Sequence, residues 1–249
     1  VEPGILTRTH MTGNEKDIMR LDIRSFLIAG KVARRDEVDA THYPVFHQLE
    51  GVKILSDIQT PDLIQDFELP SMDFQSQHKT DVAKYAISNL MSILQNVVYF
   101  VLGNDTRCRW ITCDFPFTYP SIEMEIWHQG KWVEIFGCGL LRQELVNRCF
   151  PSDSIGWAFG IGIERMAMIL HEIPDIRLFW SQDPRFKRQF EFDDLGAPAK
   201  FKHFSHHPAA YRDISFWYDD NFHANDFAET VRSHGGDLVE EVKDIDQYR

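Results

Sequence analysis

The chain has 249 residues, 43% of them hydrophobic and 26% charged; at about 150 residues per domain it holds one large or two modest domains, with enough apolar material for a core. Those proportions exclude a fibrous or largely disordered chain. Its 26 Lys and Arg stand against 38 Asp and Glu, and the resulting net charge of -12 excludes broad, non-specific adhesion to nucleic acid, so any nucleic-acid partner must be held by local contacts.

Taken in chain order, residues 14–25 predict a short amphipathic helix, and 26–34 a buried strand rich in Phe, Leu, Ile and Val. A polar turn over 36–42 precedes a second, antiparallel strand over 43–55. Residues 57–79 show no clear period and read as loop with at most one helical turn. The spacing of Val82, Tyr85, Ala86, Leu90, Ile93, Leu94, Val97 and Val101 predicts a long core-facing helix over 80–103, with Thr80 as N-cap and Gly103 as terminator. Short strands are expected over 107–114, 122–127 and 131–136, the last two joined by His128-Gln129-Gly130 as part of an antiparallel meander. A glycine-punctuated apolar stretch over 156–163 feeds a helix over 164–172, stopped by Pro174. Strands followed by helices without a regular β-α-β rhythm indicate an α+β domain on an antiparallel sheet.

Periodicity is lost over 186–200, which reads as a linker, and a second unit begins near Phe201. A strand over 209–218, a helix over 225–234, a Gly235-Gly236 stop and a strand over 238–245 make half of a ferredoxin-like β-α-β-β-α-β unit. Uninterrupted apolar runs such as residues 97–102 fall far short of the ~20 residues that span a bilayer, so no membrane segment is predicted. Cys108, Cys113, Cys138 and Cys149 include no C-x-x-C pair and read as reduced, buried thiols. The histidines His203, His206, His207, His223 and His234 are spaced too irregularly for a metal cluster and read as polar surface.

Three segments set polar residues in apolar surroundings. In the first, Arg34 closes one strand while Gln48 and Glu50, two apart on the next, project to one face. Spacing alone leaves open an edge hairpin with a solvated polar face. The second is Phe115-Pro-Phe117-Thr-Tyr119-Pro120, whose prolines should keep it from pairing as a central strand, and whose aromatics could be a core plug or a ligand wall. The third runs from Gly156 to Arg165; its glycines allow close approach and Arg165 on the first helical turn can reach an anion, or the stretch is helix-on-sheet packing with a surface charge.

Taken together and in order, Thr9-His10-Met11-Thr12, Arg34-Arg-Asp36, Asp39-Ala-Thr-His42 through Phe46-His-Gln48-Leu-Glu50, Phe115-Pro-Phe117, Gly137-Cys-Gly139 and Gly156-Trp-Ala158-Phe-Gly160 through Arg165 closely resemble phenylalanyl-tRNA synthetase, a class II aminoacyl-tRNA synthetase. The resemblance runs almost end to end and implies a catalytic domain over 1–185, a linker over 186–200 and a partial ferredoxin-like anticodon-binding domain over 201–249. It implies that Arg34 holds the α-phosphate of ATP, Asp36 contacts adenine, Phe46 stacks on adenine, His42 lies near the leaving phosphates, and Arg165 clasps the γ-phosphate. Gln48 and Glu50, with His10 and Thr12, would hold the ammonium of phenylalanine; Phe115 and Phe117 would meet its ring, and Ala158 with Gly160 would leave it room.

The implied activity is ATP-dependent formation of phenylalanyl-adenylate and transfer to tRNA(Phe), with Mg²⁺ riding on ATP and no tightly bound cofactor. The rival expectation is a non-catalytic paralogue or fragment that binds tRNA or a protein partner. Thr12 stands where the family often has Ser. Tyr119 stands where heterotetrameric members carry a Glu assigned to magnesium, so no structural metal is expected. The second unit resembles that of the single-chain mitochondrial form, implying a monomer in the mitochondrial matrix, without a membrane partner. The chain opens at Val1 without the dimer motif that should precede His10, and its second unit holds half of the expected elements, so it is expected to be truncated at both ends.

Overall fold

A computed structural model describes residues 7–35, 38–56, 69–191, 199–203, 210–219, 222–239, 242–243 and 245. The chain divides into two compact units, Val1–Arg34 with Val45–Ile169, and Arg35–Pro44 with Leu170–Arg249.

The first unit is built on a six-stranded antiparallel sheet. Its strands are β1 (Ser25–Ala33), β2 (Val45–Leu55), β3 (Cys108–Cys113), β4 (Thr118–His128), β5 (Lys131–Leu141) and β6 (Ile155–Gly162), in the spatial order β1-β2-β6-β5-β4-β3. The predicted meander is therefore β3-β4-β5, and β6 returns to lie between it and the first hairpin. At the β4-β5 turn Gln129 and Gly130 both have positive φ, 48° and 82°, as a two-residue hairpin turn matched to strand twist requires.

The helices of this unit are α1 (Glu15–Met19), α2 (Thr80–Leu102), α3 (Gln143–Val146) and α4 (Ile163–His171), whose last two residues belong to the second unit. One sheet face packs against α2: Ala83, Ala86, Ile87, Leu90, Met91, Leu94 and Val98 meet Ile122, Met124 and Ile126 of β4, Phe136, Cys138 and Leu140 of β5, and Trp157 and Ile161 of β6. Each fully buried Leu or Ile here contributes about 1.5–3 kcal/mol. By length and composition α2 could cross a membrane, a possibility that uninterrupted apolar runs did not reveal. Its apolar residues are instead the ones that close this core. The opposite face carries a smaller cluster of Met19, Val52, Ile54, Leu141, Val146, Phe150 and Ala158.

Several expectations are corrected. The first helix is a 3₁₀ turn, Met11–Asn14, followed by only five α-helical residues, and the chain turns away at Asp22, where φ is 58°. Thr80 is the first helical residue of α2 rather than its cap; Lys79 takes the cap position with no side-chain bond, while Gly103 ends the helix at φ 101°. Thr118 does pair, with Leu141, at the start of β4, and a register shift between Thr118 and Ser121 leaves Tyr119 and Pro120, which has no N–H to give, outside the ladder. Of the four free cysteines only Cys138 is buried; the others are half-buried. Burial pushes the thiols of Cys108 and Cys138 up, and burial with the charge of Glu123 takes Cys113 up to about 12, so these three remain protonated.

In the second unit, Tyr43 stacks on Trp180 at 5.5 Å, and Phe186, on α5 (Pro184–Lys187), is buried among Phe179, Phe190 and Phe201. The predicted helix is α6 (Ala224–Gly235), capped by His223, whose Nδ1 accepts from the Asn225 N–H at 3.2 Å. The strands expected over 209–218 and 238–245 are not formed among the described residues. A strand needs a neighbour to take its N–H and C=O groups, and no described segment pairs with either. Tyr211, Ile214 and Trp217 are exposed there, while Phe216 packs with Phe222 and Phe227.

Candidate active site

The sheet register builds a trough floored by glycine. Across four adjacent strands Glu50 lies opposite Gly160, Gly160 opposite Gly137, and Gly137 opposite Glu123. Two carboxylates thus end a row with no side chain between them, about 14 Å apart at three strand spacings. The glycines are needed because side chains from elsewhere use the space: a Cβ at Gly160 would lie 3.2 Å from Gln48 Nε2, and one at Gly137 would lie 2.7 Å from Phe115 Cζ.

At one end of the row the period of two along β2 puts Gln48 and Glu50 on the same face, 6% and 1% exposed. The segment before α1 crosses over them. Gln48 Oε1 accepts the Met11 N–H at 3.2 Å, which turns its amide nitrogen toward His10 Nε2 at 3.1 Å. An amide nitrogen can only donate, so His10 Nε2 accepts from it, while His10 Nδ1 accepts the Thr12 N–H at 3.3 Å and lies 2.6 Å from Glu50 Oε1. That contact is close but out of line, and Glu50 Oε1 has no aligned hydrogen-bond partner. Thr12 Oγ1 donates to Glu50 Oε2 at 2.9 Å and also meets His10. Phe117 lies 5.4 Å from the His10 ring and stacks on Phe115 at 5.9 Å, with an interplanar angle of 6°. The structure thus brings His10, Thr12, Gln48, Glu50, Phe115, Phe117 and Gly160 together, two aromatic rings above a buried acceptor cluster. Ala158 lies opposite Gly139 and Val52 along the same floor, buried in the smaller apolar cluster.

Arg34 follows β1 and holds the Thr9 carbonyl through Nε at 3.0 Å, with its guanidinium 5.1 Å over the Phe46 ring. Arg165, on the first turn of α4, donates to the Glu134 carbonyl at 3.1 Å and lies 3.4 Å from its carboxylate. Burial and then Glu134 raise the Glu123 carboxyl, and Arg165 works against that rise. His42 belongs to the second unit, where its Nδ1 lies 2.9 Å from Asp39. Partial burial raises the Asp39 carboxyl, but hydrogen bonds from His42 and Thr41 outweigh it and bring it down to about 2. Asp36 lies outside the described residues, as do His206 and His207.

Sequence reasoning missed three participants. Glu164 accepts the His47 N–H at 2.9 Å and meets its ring at 2.6 Å, tying the head of α4 to β2 one residue before Arg165. Glu123, on β4, ends the glycine row opposite Gly137. Glu15, 3% exposed, reaches Glu50 within hydrogen-bonding distance. For Glu15 no local signal exists, since an acid in the first turn of a short amphipathic helix normally faces water.

An antiparallel six-stranded sheet with an arginine leaving its first strand, a second arginine heading the helix that follows its last strand, and an acceptor cluster between them is the core of a class II synthetase. The family model described as the tRNA synthetases class II core domain (F) matches residues 1–83 and 71–190, and the chain belongs to that family. A second model, the ferredoxin-fold anticodon binding domain, matches residues 205–249. The chain is 44% identical over 252 residues to the mitochondrial phenylalanine–tRNA ligase of Mus musculus, covering 98% of this chain and 56% of that protein. It is 42% identical over 248 residues to the chloroplastic/mitochondrial phenylalanine–tRNA ligase of Arabidopsis thaliana, covering 100% and 54%. It is 32% identical over 206 residues to the phenylalanine–tRNA ligase alpha subunit of Caldicellulosiruptor saccharolyticus, covering 76% and 53%. The chain therefore spans little more than half the length of these relatives.

Proposed function

We propose that the chain is the catalytic part of a phenylalanine–tRNA ligase, which joins L-phenylalanine to ATP as phenylalanyl-adenylate, releases pyrophosphate and passes the amino acid to tRNA(Phe). The observation that carries this reading is the pairing of a buried carboxylate, Glu50, with the stacked rings of Phe115 and Phe117. Glu50, Gln48 and Thr12 would take the substrate ammonium, with His10 holding the arrangement, and the two rings would meet the substrate ring edge to face. Gly160 and Ala158 leave the floor open beneath it.

ATP enters as its Mg²⁺ complex, a substrate rather than a resident group. Arg34 would move from the Phe46 ring to the α-phosphate, freeing that ring face for adenine, while Arg165 would take the γ-phosphate. His42 and Asp36 are proposed near the phosphates and adenine respectively. Both arginines carry permanent planar charge to oxygens that become more negative as the carboxylate attacks the α-phosphorus. Positioning and neutralisation do the chemistry, and no covalent enzyme intermediate is needed.

The names of the relatives support phenylalanine as substrate, tRNA(Phe) as acceptor and a mitochondrial location, for which the matrix is proposed, and the second matched domain supports tRNA contact through residues 201–249, joined to a catalytic domain over 1–185 by a linker over 186–200. The enzyme is proposed to act as a monomer with no membrane partner. The presence together of Arg34, Glu50 and Arg165 favours a catalyst over a paralogue that only binds tRNA. Phenylalanine-dependent exchange of labelled pyrophosphate into ATP is the test; no exchange above the level without amino acid overturns the reading.

The floor under the rings also sets specificity. Ala158→Gly removes one methyl group and is expected to raise kcat/KM for para-chlorophenylalanine relative to phenylalanine by about 10-fold or more, the usual effect of a methyl-sized change in an apolar pocket. An unchanged ratio would remove Ala158 from the pocket wall.

A further inference from the structure

Glu15 is a buried acid that forms no ion pair among the described residues. It sits on the first turn of α1, 3% exposed, while its neighbours Lys16 and Asp17 point to solvent. Its carboxyl lies within hydrogen-bonding reach of Glu50, itself 1% exposed. Two carboxylates this close and this dry do not both keep their charge. Glu50 also needs a donor: Oε2 takes the Thr12 hydroxyl at 2.9 Å, but Oε1 is buried with no aligned donor.

The ionisable groups on this face are few. The segment before α1 brings His10, 2.6 Å from Glu50, and Arg8, whose guanidinium lies over Gly30 and 3.1 Å from Met11 Sδ. At the positions paired with Gln48 and Glu50, β1 offers Gly30 and Ile28 and β6 offers Gly162 and Gly160, none of which titrates. A proton on Glu15 would supply Glu50 with a donor.

We propose that Glu15 is held as the neutral acid against the Glu50 carboxylate until substrate arrives, and that the incoming ammonium group displaces its proton, so that binding of phenylalanine releases a proton to solvent. The proposal rests on the reading of Gln48 and Glu50 as the ammonium site. Only the O–H bond of Glu15 breaks; its proton passes to buffer, and the ammonium keeps its three protons and donates to the two carboxylates. Burial first, and then the Glu50 charge, raise the Glu15 carboxyl to about 9 in the free protein. An adjacent opposite charge lowers a carboxyl by about 1–3 pK units, so at pH about 7.5 the release is between about 0.2 and 1 proton per phenylalanine bound.

The release is read by calorimetric titration of phenylalanine into the purified protein in buffers of different ionisation enthalpy, such as phosphate and Tris. The parent is expected to give a buffer-dependent heat and an affinity that rises with pH from about 6 to 8. Glu15→Gln, which keeps a donor to Glu50 but has no proton to lose, is expected to give the same heat in both buffers and an affinity flat in pH. His10→Asn is expected to keep the release. Buffer-independent heat in a parent that binds phenylalanine overturns the proposal, as does release that survives in Glu15→Gln or vanishes in a His10→Asn variant that still binds phenylalanine. A parent that binds no phenylalanine overturns instead the substrate reading on which it rests.

Glu15→Gln should fold. A carboxyl raised by folding contributes stability fully at low pH and loses it as pH rises toward its folded value. The variant should therefore melt near the parent at pH about 4 and above it at pH about 8. Should it fail to fold, the parent and His10→Asn titrations still decide.

Discussion

Arg34→Ala is expected to lower phenylalanine-dependent pyrophosphate exchange by about 10²–10³-fold, the usual loss when one pre-organised donor to a developing charge is removed. The side chain is half-exposed, and its partners are the Thr9 carbonyl and the face of Phe46. Neither contact belongs to the packed core, so the melting temperature should move little. The loss should fall on kcat as well as on the KM for ATP, because the charge on the α-phosphate grows on the way to the transition state. Lys in its place should recover only part of the rate, since an ammonium is a point charge without the planar fork. Exchange within a few-fold of the parent would sink the assignment of Arg34 to the α-phosphate.

Glu50→Gln is the second large effect. The substitution keeps shape and hydrogen-bonding capacity but removes the negative charge from a side chain that is 1% exposed. A buried cation deprived of its partner costs about 3–5 kcal/mol, or about 10²–10⁴-fold in kcat/KM for phenylalanine. The ammonium is held alike before and during reaction, so the change should appear mainly in KM for phenylalanine and hardly in KM for ATP. An unaltered KM for phenylalanine would place the ammonium elsewhere. The two variants would thus separate the proposed halves of the site, Arg34 for the nucleotide and Glu50 for the amino acid.

Much of the first unit was legible locally. Helix α2 could be read from the spacing of its apolar residues, and the β1-β2 hairpin and the meander from runs of apolar and alternating residues closed by polar turns, because those periods are properties of one element at a time. The same period placed Gln48 and Glu50 on one face. Strand ends were harder. Whether Pro120 could enter β4 depended on a register shift against β5, which is a property of two strands together. The strands expected in the second unit show the converse: among the described residues a suitable local pattern is not paired, because no described segment accepts its backbone.

The sequence by itself determined the class of fold and, through the resemblance its ordered motifs carry, marked the two arginines and the polar-aromatic residues as a candidate site, because spacing alone left a solvated hairpin face and a core plug open. Only the tertiary structure decided what those residues meet. Gly137 and Gly160 became a floor because sheet order laid β5 beside β6 and Phe115 over Gly137. Glu164 became the tie between α4 and β2. Glu15 became a buried acid beside Glu50 because the segment carrying it folds across the sheet. The charge state of a carboxyl depends on the water removed from it and on the charges brought near it, and both are set by residues distant in the chain.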